Sequence, residues 1–223
     1  MNTSDAHTYK DWGKFLGEKI PSSLTTDPLL YEKIRRKELI IDIGCGFGKT
    51  CFELQEKGYG PIIGFDINES GIRYANEVLS NLDEESKGRC RFEVKDALHT
   101  EFQDGAFMFG IMQAFLTTWS EPEHRKLALA ETRRIIEPGG GLYIADFIQT
   151  WHQERYRLRY EKDQKETGEL RTFNAYDPTT GDLLYRAHHY TEKELVYLLL
   201  DANFQVAHLE YRIFTTRSGN KVR

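Results

Sequence analysis

The sequence predicts an α/β protein: a three-layer αβα sandwich around a mostly parallel, doubly wound sheet, with a β-hairpin insertion before the last helix. Three observations carry this. The run Leu39-Ile40-Ile41-Asp42-Ile43 enters the alternating glycines Gly44, Gly46 and Gly48, the pattern of a buried strand meeting a turn that a ligand approaches closely. Across residues 38–147 short apolar strands alternate with stretches of helical periodicity, which implies right-handed crossovers between parallel strands. From Trp151 the pattern changes to a charged helix and two strands around the turn Asp177-Pro178-Thr179-Thr180-Gly181.

The elements follow in order. Lys49 to Lys57 reads as a helix carrying Phe52 and Leu54, stopped by Gly58-Tyr59-Gly60-Pro61. Ile62 to Phe65 is a second strand ending at Asp66. Beyond it Asn68 or Ser70 caps a helix in which Ile72, Ala75, Val78, Leu79 and Leu82 recur at helical spacing. Arg91 to Val94 is a third strand ending near Asp96, and Ala106 to Met112, introduced by Asp104-Gly105, is a fourth. Ser120-Glu121-Pro122-Glu123 has a capping-box pattern with an early proline, and Leu127, Ala130 and Ile135 form the expected buried stripe. Glu137 to Gly141 stops that helix before a fifth strand, Leu142 to Ala145. Gln153 to Lys165 is the charged helix, and Leu170 to Tyr176 with Leu183 to Tyr190 forms the hairpin. Thr191 with Glu194 opens a helix bearing Leu195, Leu198 and Leu199, and Phe204 to Phe214 reads as a last strand.

Length and composition bound the class. At 223 residues and 39% hydrophobic content the chain suits one domain: an N-terminal helical cap (1–37), a glycine-turn core (38–147), a helix-plus-hairpin insertion (148–190) and a final helix and strand (191–223). Thirty Lys and Arg against 35 Asp and Glu leave a formal charge of -5, which disfavours nucleic acid as a partner. The three cysteines, Cys45, Cys51 and Cys90, lack the spacing of a zinc site or a secreted disulfide framework and fit a reducing cytoplasm. Met1 to Lys10 has no apolar signal core, and no apolar run reaches membrane-spanning length, so a soluble cytoplasmic protein is expected.

The motif Asp42-x-Gly44-x-Gly46-x-Gly48, with Asp66 after the second strand and Asp96 after the third, resembles the class I (Rossmann-like) methyltransferases that use S-adenosylmethionine. The resemblance covers Glu38 to Phe147 and the final helix and strand. It implies that Asp42 serves the methionine ammonium, that the glycine turn lies along the amino-acid and ribose portions, and that Asp66 accepts from both ribose hydroxyls. It further implies that Asp96 and the Ala97 amide meet adenine, with Phe65, Ile67 and Phe115 as apolar contacts. Tyr9, in an N-terminal segment running to Leu16, and Gln113, after the fourth strand, are the remaining cofactor contacts it implies. The rival is a dinucleotide site. Against it, the third glycine falls one position early for Gly-x-Gly-x-x-Gly, and an anion at Asp42 opposes a pyrophosphate.

Methyl transfer demands no universal catalytic residue. The candidates for a base are His188 and His189, beside Tyr190; the alternative is that they are structural. The N-terminal segment with Trp12 and Phe15 forms either a lid or a packed terminal helix. The run Arg155 to Tyr160 recognises an anionic or planar acceptor or is a solvated helix face. The aromatic hairpin residues Phe173, Tyr176 and Tyr185 suit a lid or a homodimer interface. Gln113-Ala114-Phe115-Leu116 is not the Asn/Asp-Pro-Pro-Tyr pattern of amide or adenine-amine methylation, and no acidic pair suggests a magnesium site. The expected activity is methyl transfer to nitrogen or oxygen of a small-molecule acceptor; a protein or RNA acceptor, or a non-catalytic cofactor-binding module, are the alternatives. The chain also stops at Arg223, where the resemblance implies that a further sheet strand begins.

Overall fold

The computed structural model describes residues 9–15, 24–177, 179–215 and 221–222. A 3-10 turn (Tyr9–Lys14) precedes α1 (Pro28–Lys33), β1 (Ile40–Ile43), α2 (Lys49–Glu56), β2 (Ile62–Asp66), α3 (Glu69–Ser80), α4 (Glu84–Lys87) and β3 (Cys90–Val94). Then come β4 (Phe107–Gln113), α5 (Pro122–Ile135), β5 (Ile136–Ala145), α6 (Glu154–Thr167), β6 (Thr172–Tyr176), β7 (Leu183–His188), α7 (Glu192–Asp201), β8 (Phe214–Thr215) and β9 (Lys221–Val222).

β1 to β5 form one sheet in the order β3-β2-β1-β4-β5, every pair parallel. All four residues of β1 are buried because helices cover both faces. Successive strand residues point to opposite sides. Ile40 accordingly packs with Cys51 and Leu54 of α2 and Ile72 and Ala75 of α3. Ile41 and Ile43 pack with Ala128, Leu129 and Ile135 of α5, against which Leu195, Leu198 and Leu199 of α7 close the second layer. Burying one such leucine contributes about 2 kcal/mol. Asn68 is the α3 cap, accepting from the Gly71 amide at 2.9 Å, and the Thr191–Glu194 capping box forms at α7 as expected.

Three expectations need correction. α5 is capped by Glu121 without a side-chain hydrogen bond, and its buried face is Arg125, Ala128, Leu129, Thr132 and Ile135. Leu127 is 53% exposed. A buried arginine on the core face hides the true phase from an apolar pattern. β5 starts at Ile136: Glu137 to Gly140 bulge out between the pairs Phe107–Ile136 and Phe109–Gly141, where Pro138 removes no ladder bond. Phe204 to Phe214 does not join the five-stranded sheet; residues 204–213 carry no regular structure, and among the described residues β8 pairs only with β9. Alternation of Leu209, Tyr211 and Ile213 with charged residues predicts extended backbone, but a strand needs a ladder partner, which alternation does not supply. Among the described residues β5 therefore stands at the sheet edge, with Leu142, Tyr143 and Ile144 only partly buried.

The hairpin β6–β7 is fastened to α5 and α7 by ion pairs. Arg125, 1% exposed, donates to both oxygens of Glu169 at 2.7 and 2.8 Å and to the carbonyls of Trp119 and Ser120. His188 lies between Glu169 and Glu194 at 3.2 and 2.9 Å, and Arg171 pairs with Glu194 at 2.9 Å. Despite burial, which pushes a carboxyl up, the His188 and Arg125 contacts hold Glu169 well below its usual range. Glu194 is held at about 2 in the same way, by His188 and Arg171.

Candidate functional site

β1 has β2 on one side and β4 on the other, so the strand order reverses there and a crevice opens at the carboxyl ends of β1 and β4. It holds a cavity of about 140 Å³ whose wall includes Asp42, Gly44, Gly46, Asp66, Ile67, Ala97 and Gln113. These sequence-derived cofactor residues thus converge on one place, with Gly48 and Asp96 outside the wall.

The turn after β1 runs through positive φ at Gly44 (72°), Gly46 (58°) and Gly48 (84°). The amides of Gly44 and Cys45 both donate to the Phe65 carbonyl at 3.0 Å, tying the turn to the end of β2. A Cβ on Gly44 would lie 2.2 Å from the Phe115 ring, so only glycine lets that ring close the cavity wall. Phe115 is aimed there by Ala114, which sits at φ 51°. Gly48, in the same turn, serves instead as the N-cap of α2, which leaves the first α2 amides without a side-chain partner.

Asp66 accepts from the Gly46 amide and the Asn68 amide, both at 2.8 Å. Burial pushes its carboxyl up, and these amides pull it back only in part. Asp42 is 3% exposed and accepts from the Cys51 thiol at 3.3 Å. Burial pushes it up to about 7, with Asp66 adding repulsion and the thiol opposing. Gln113 donates from Nε2 to Thr50 Oγ1 at 2.7 Å, while its buried Oε1 has no hydrogen-bond partner among the described residues. A ligand donor satisfies such an acceptor. Asp96 accepts from the Leu98 amide at 2.9 Å between the lining residues Lys95 and Ala97.

Of Tyr9 only the backbone is described; its side chain lies outside the described residues. Its neighbour Trp12 does line the cavity. Asn68 Nδ2 donates to the carbonyls of Trp12 and Phe15 at 3.0 and 2.6 Å, so the N-terminal turn is latched to the cap of α3. Trp12 packs on Tyr185 of β7 at 4.5 Å between ring centres, bringing the turn and the hairpin together beside the cavity wall. Of the hairpin aromatics Phe173 is buried against α6 and Tyr176 is exposed.

The two histidines lie outside the cavity wall. His188 is fully buried, and both of its ring nitrogens are engaged, by Thr172 and Glu169 on one side and Glu194 on the other. It belongs to the hairpin fastening, and guanidinium groups already supply the counter-charge to its carboxylates. His189 stacks on Phe147, and its Nδ1 lies 2.6 Å from the Tyr160 hydroxyl. Burial, with His188 and Arg159 nearby, lowers it to about 3, so it stays neutral and is a weak base.

Several wall residues carried no sequence signal: Leu24, Thr118 and Trp119 reach the cavity from outside any motif. Lys49 and Thr50 were accessible in principle, since they directly follow the glycine turn. Asp146, after β5, was missed although it repeats the acid-after-strand pattern. It accepts from the Thr117 and Phe147 amides at 3.2 and 2.7 Å, fixing the turn that carries Thr118, and burial pushes it up to about 7.

The comparisons with known proteins agree with this geometry. A family model for the methyltransferase domain matches residues 40–140. The crystal structure of a SAM-dependent methyltransferase from Methanosarcina mazei is 40% identical, covers 89% of this chain and 94% of its own, and superposes with a TM-score of 0.84. A sterol 4-C-methyltransferase of Caenorhabditis elegans is 27% identical over 156 residues, 69% of this chain and 43% of that protein. An eEF1A lysine and N-terminal methyltransferase of Danio rerio is 26% identical over 115 residues, 50% of this chain and 16% of that protein. The chain thus spans less than half the length of these curated relatives. Among the described residues no helix is long and apolar enough to cross a membrane. With the glycine turn, the buried acids and a match across almost the whole of a related enzyme, the chain belongs to the class I S-adenosylmethionine-dependent methyltransferases.

Proposed function

We propose that the chain methylates a nitrogen or oxygen of a small-molecule acceptor held beneath the N-terminal turn and the hairpin. The observation that carries this is that Trp12, a residue of the cavity wall, packs on Tyr185 of the hairpin, so that the N-terminal turn and the hairpin meet beside the cavity. When bound, S-adenosylmethionine supplies a methyl group on a sulfonium. The wall suits it: Asp66 accepts from the ribose hydroxyls, Asp42 and the orphaned Gln113 Oε1 serve the ammonium, and Lys49, whose Nζ donates to the Leu24 carbonyl at 3.2 Å, faces the carboxylate. Ile67, Ala97 and Phe115 take the purine, with Asp96 at its amine and Gly46 giving close backbone approach. Tyr9 and Gly48 support the site from the N-terminal turn and the start of α2. With His188 locked and His189 a weak base, these residues act by positioning an acceptor that arrives with an available lone pair.

Purified protein given methyl-labelled S-adenosylmethionine with either a low-mass metabolite extract or a protein-and-RNA fraction tests the acceptor class. Label in the low-mass fraction is expected; label confined to macromolecules contradicts the reading.

Gly44→Ala drives the Phe115 ring from its place and strains the turn, so affinity for S-adenosylhomocysteine falls by about tenfold or more. Calorimetric titration checks it. Asp42 sets a pH dependence. It is partly protonated below about 7, and an ammonium beside it requires the carboxylate. Affinity for S-adenosylhomocysteine therefore rises with pH up to about 7 and levels off above, changing by at most about tenfold per pH unit. Titration in buffers of different ionisation heat reads the proton released. A pH-independent affinity removes Asp42 from the ammonium site.

A further inference from the structure

The geometry points to an acceptor that carries a carboxylate, received by the Arg159 guanidinium together with the phenols of Tyr156 and Tyr185 under the hairpin. The inference deepens the proposed methyl transfer and rests on it.

The run Arg155 to Tyr160 lies on α6, and its cations have different fates. Arg155 is exposed, and Arg157 faces Glu154 at 3.8 Å. Arg159 is partly buried, its guanidinium 5.1 Å from the ring centre of Phe173 and 5.9 Å from that of Tyr156. Among the described residues it has no carboxylate partner and no side-chain hydrogen bond. Other covered arginines are engaged: Arg125, Arg134, Arg171 and Arg186 each meet a carboxylate at 2.7 to 2.9 Å, and Arg133 donates to the Ile136 carbonyl at 3.0 Å. A guanidinium stays charged at all ordinary pH, and holding it partly out of water without an anion is unfavourable. Among the described residues, the cradle thus has no counter-charge.

Two further polar ends share the place. The hydroxyls of Tyr156 and Tyr185 have no hydrogen-bond partner among the described residues, and the charge of Arg159 acts on Tyr185 and on His189. Tyr185 packs on Trp12, and Trp12 lines the cofactor cavity. The group therefore sits one aromatic layer, Trp12, from the cavity proposed for the cofactor. One unpaired guanidinium balances one negative charge, and its fork matches a carboxylate through two parallel bonds. A phosphate monoester would leave charge uncompensated. Tyr156 and Tyr185 are partly buried at the border of the aromatic cluster around Tyr160 and Phe173, and their rings suit stacking on a planar apolar body, so the class is a planar carboxylic acid bearing the nitrogen or oxygen to be methylated.

The test titrates the protein loaded with S-adenosylhomocysteine against anthranilate, 4-hydroxybenzoate, their neutral amides and phenyl phosphate. At least one carboxylate is expected to bind about tenfold or more tighter than its amide and than phenyl phosphate. In Arg159→Met that preference disappears while affinity for S-adenosylhomocysteine is unchanged, and in Tyr185→Phe, which adds no cavity, it falls several-fold. Equal binding of acid and amide, preference for the phosphate, no binding by the whole panel, or a preference that survives Arg159→Met overturns the proposal. Failure of the wild type to bind S-adenosylhomocysteine at all would instead strike the cofactor site, so the two failures are distinguishable.

Discussion

Asp66→Ala lowers affinity for S-adenosylhomocysteine by about two to three orders of magnitude. On the proposed assignment the carboxylate accepts two ribose hydroxyls, each such charged hydrogen bond contributing about 1.5–3 kcal/mol. It also holds the Gly46 and Asn68 amides, so its loss slackens the turn that bears the ligand. Asp66→Asn keeps one acceptor oxygen and is expected to lie between the alanine variant and the wild type. Both variants retain the far-ultraviolet spectrum of the wild type, because Asp66 lies at a strand end outside both core clusters. An Asp66→Ala affinity within a factor of about three of the wild type would remove the residue from the ribose site.

The largest effect on stability is expected at Arg125. Arg125→Met keeps the bulk but strips Glu169 of its guanidinium, leaving it the His188 contact alone in a poorly hydrated place, and removes a second cation from Glu194. Breaking a buried pair in this way costs about 3–5 kcal/mol, a large share of the 5–15 kcal/mol that holds a domain folded. Adding Glu169→Gln is expected to recover part of that loss, since it removes the stranded charge. Urea unfolding of the wild type, single and double variants reads all three values. The fastening also has a pH signature. Glu194 is held at about 2 against an ordinary 4.5, so the folded form holds its proton more weakly than the unfolded chain. Its contribution is complete above about pH 4.5 and is lost as the pH falls toward 2. Asp42 and Asp146, pushed up to about 7, act oppositely: they lower stability as the pH rises through the range from 3.8 to about 7.

The parts legible in the sequence obey short-range rules. Strand β1, the glycine turn and Asp66 are local patterns, and the crevice follows from parallel crossovers, so a cavity lies beside the motif where the cofactor is proposed to bind. The α5 register was not legible, because a buried Arg125 is stabilised by Glu169, forty-four residues away, and no periodicity carries that information. The pair His188 and His189 looked like chemistry because adjacent ionisable residues near a capping box are conspicuous. Their surroundings come from α6, β6 and α7 and turn one into a fastening and the other into a neutral core ring. Trp119 and Leu24 enter the cavity through tertiary packing alone. The last strand failed for a different reason: alternation specifies a backbone shape, while sheet membership depends on an available neighbour.

Calorimetric titration of the wild-type protein with S-adenosylhomocysteine, at about pH 8 so that Asp42 is ionised, with NAD as the control, tests the central claim most directly. Binding at micromolar affinity with no response to NAD is the predicted result. Silence toward S-adenosylhomocysteine, or a preference for NAD, would contradict the assignment of this cavity.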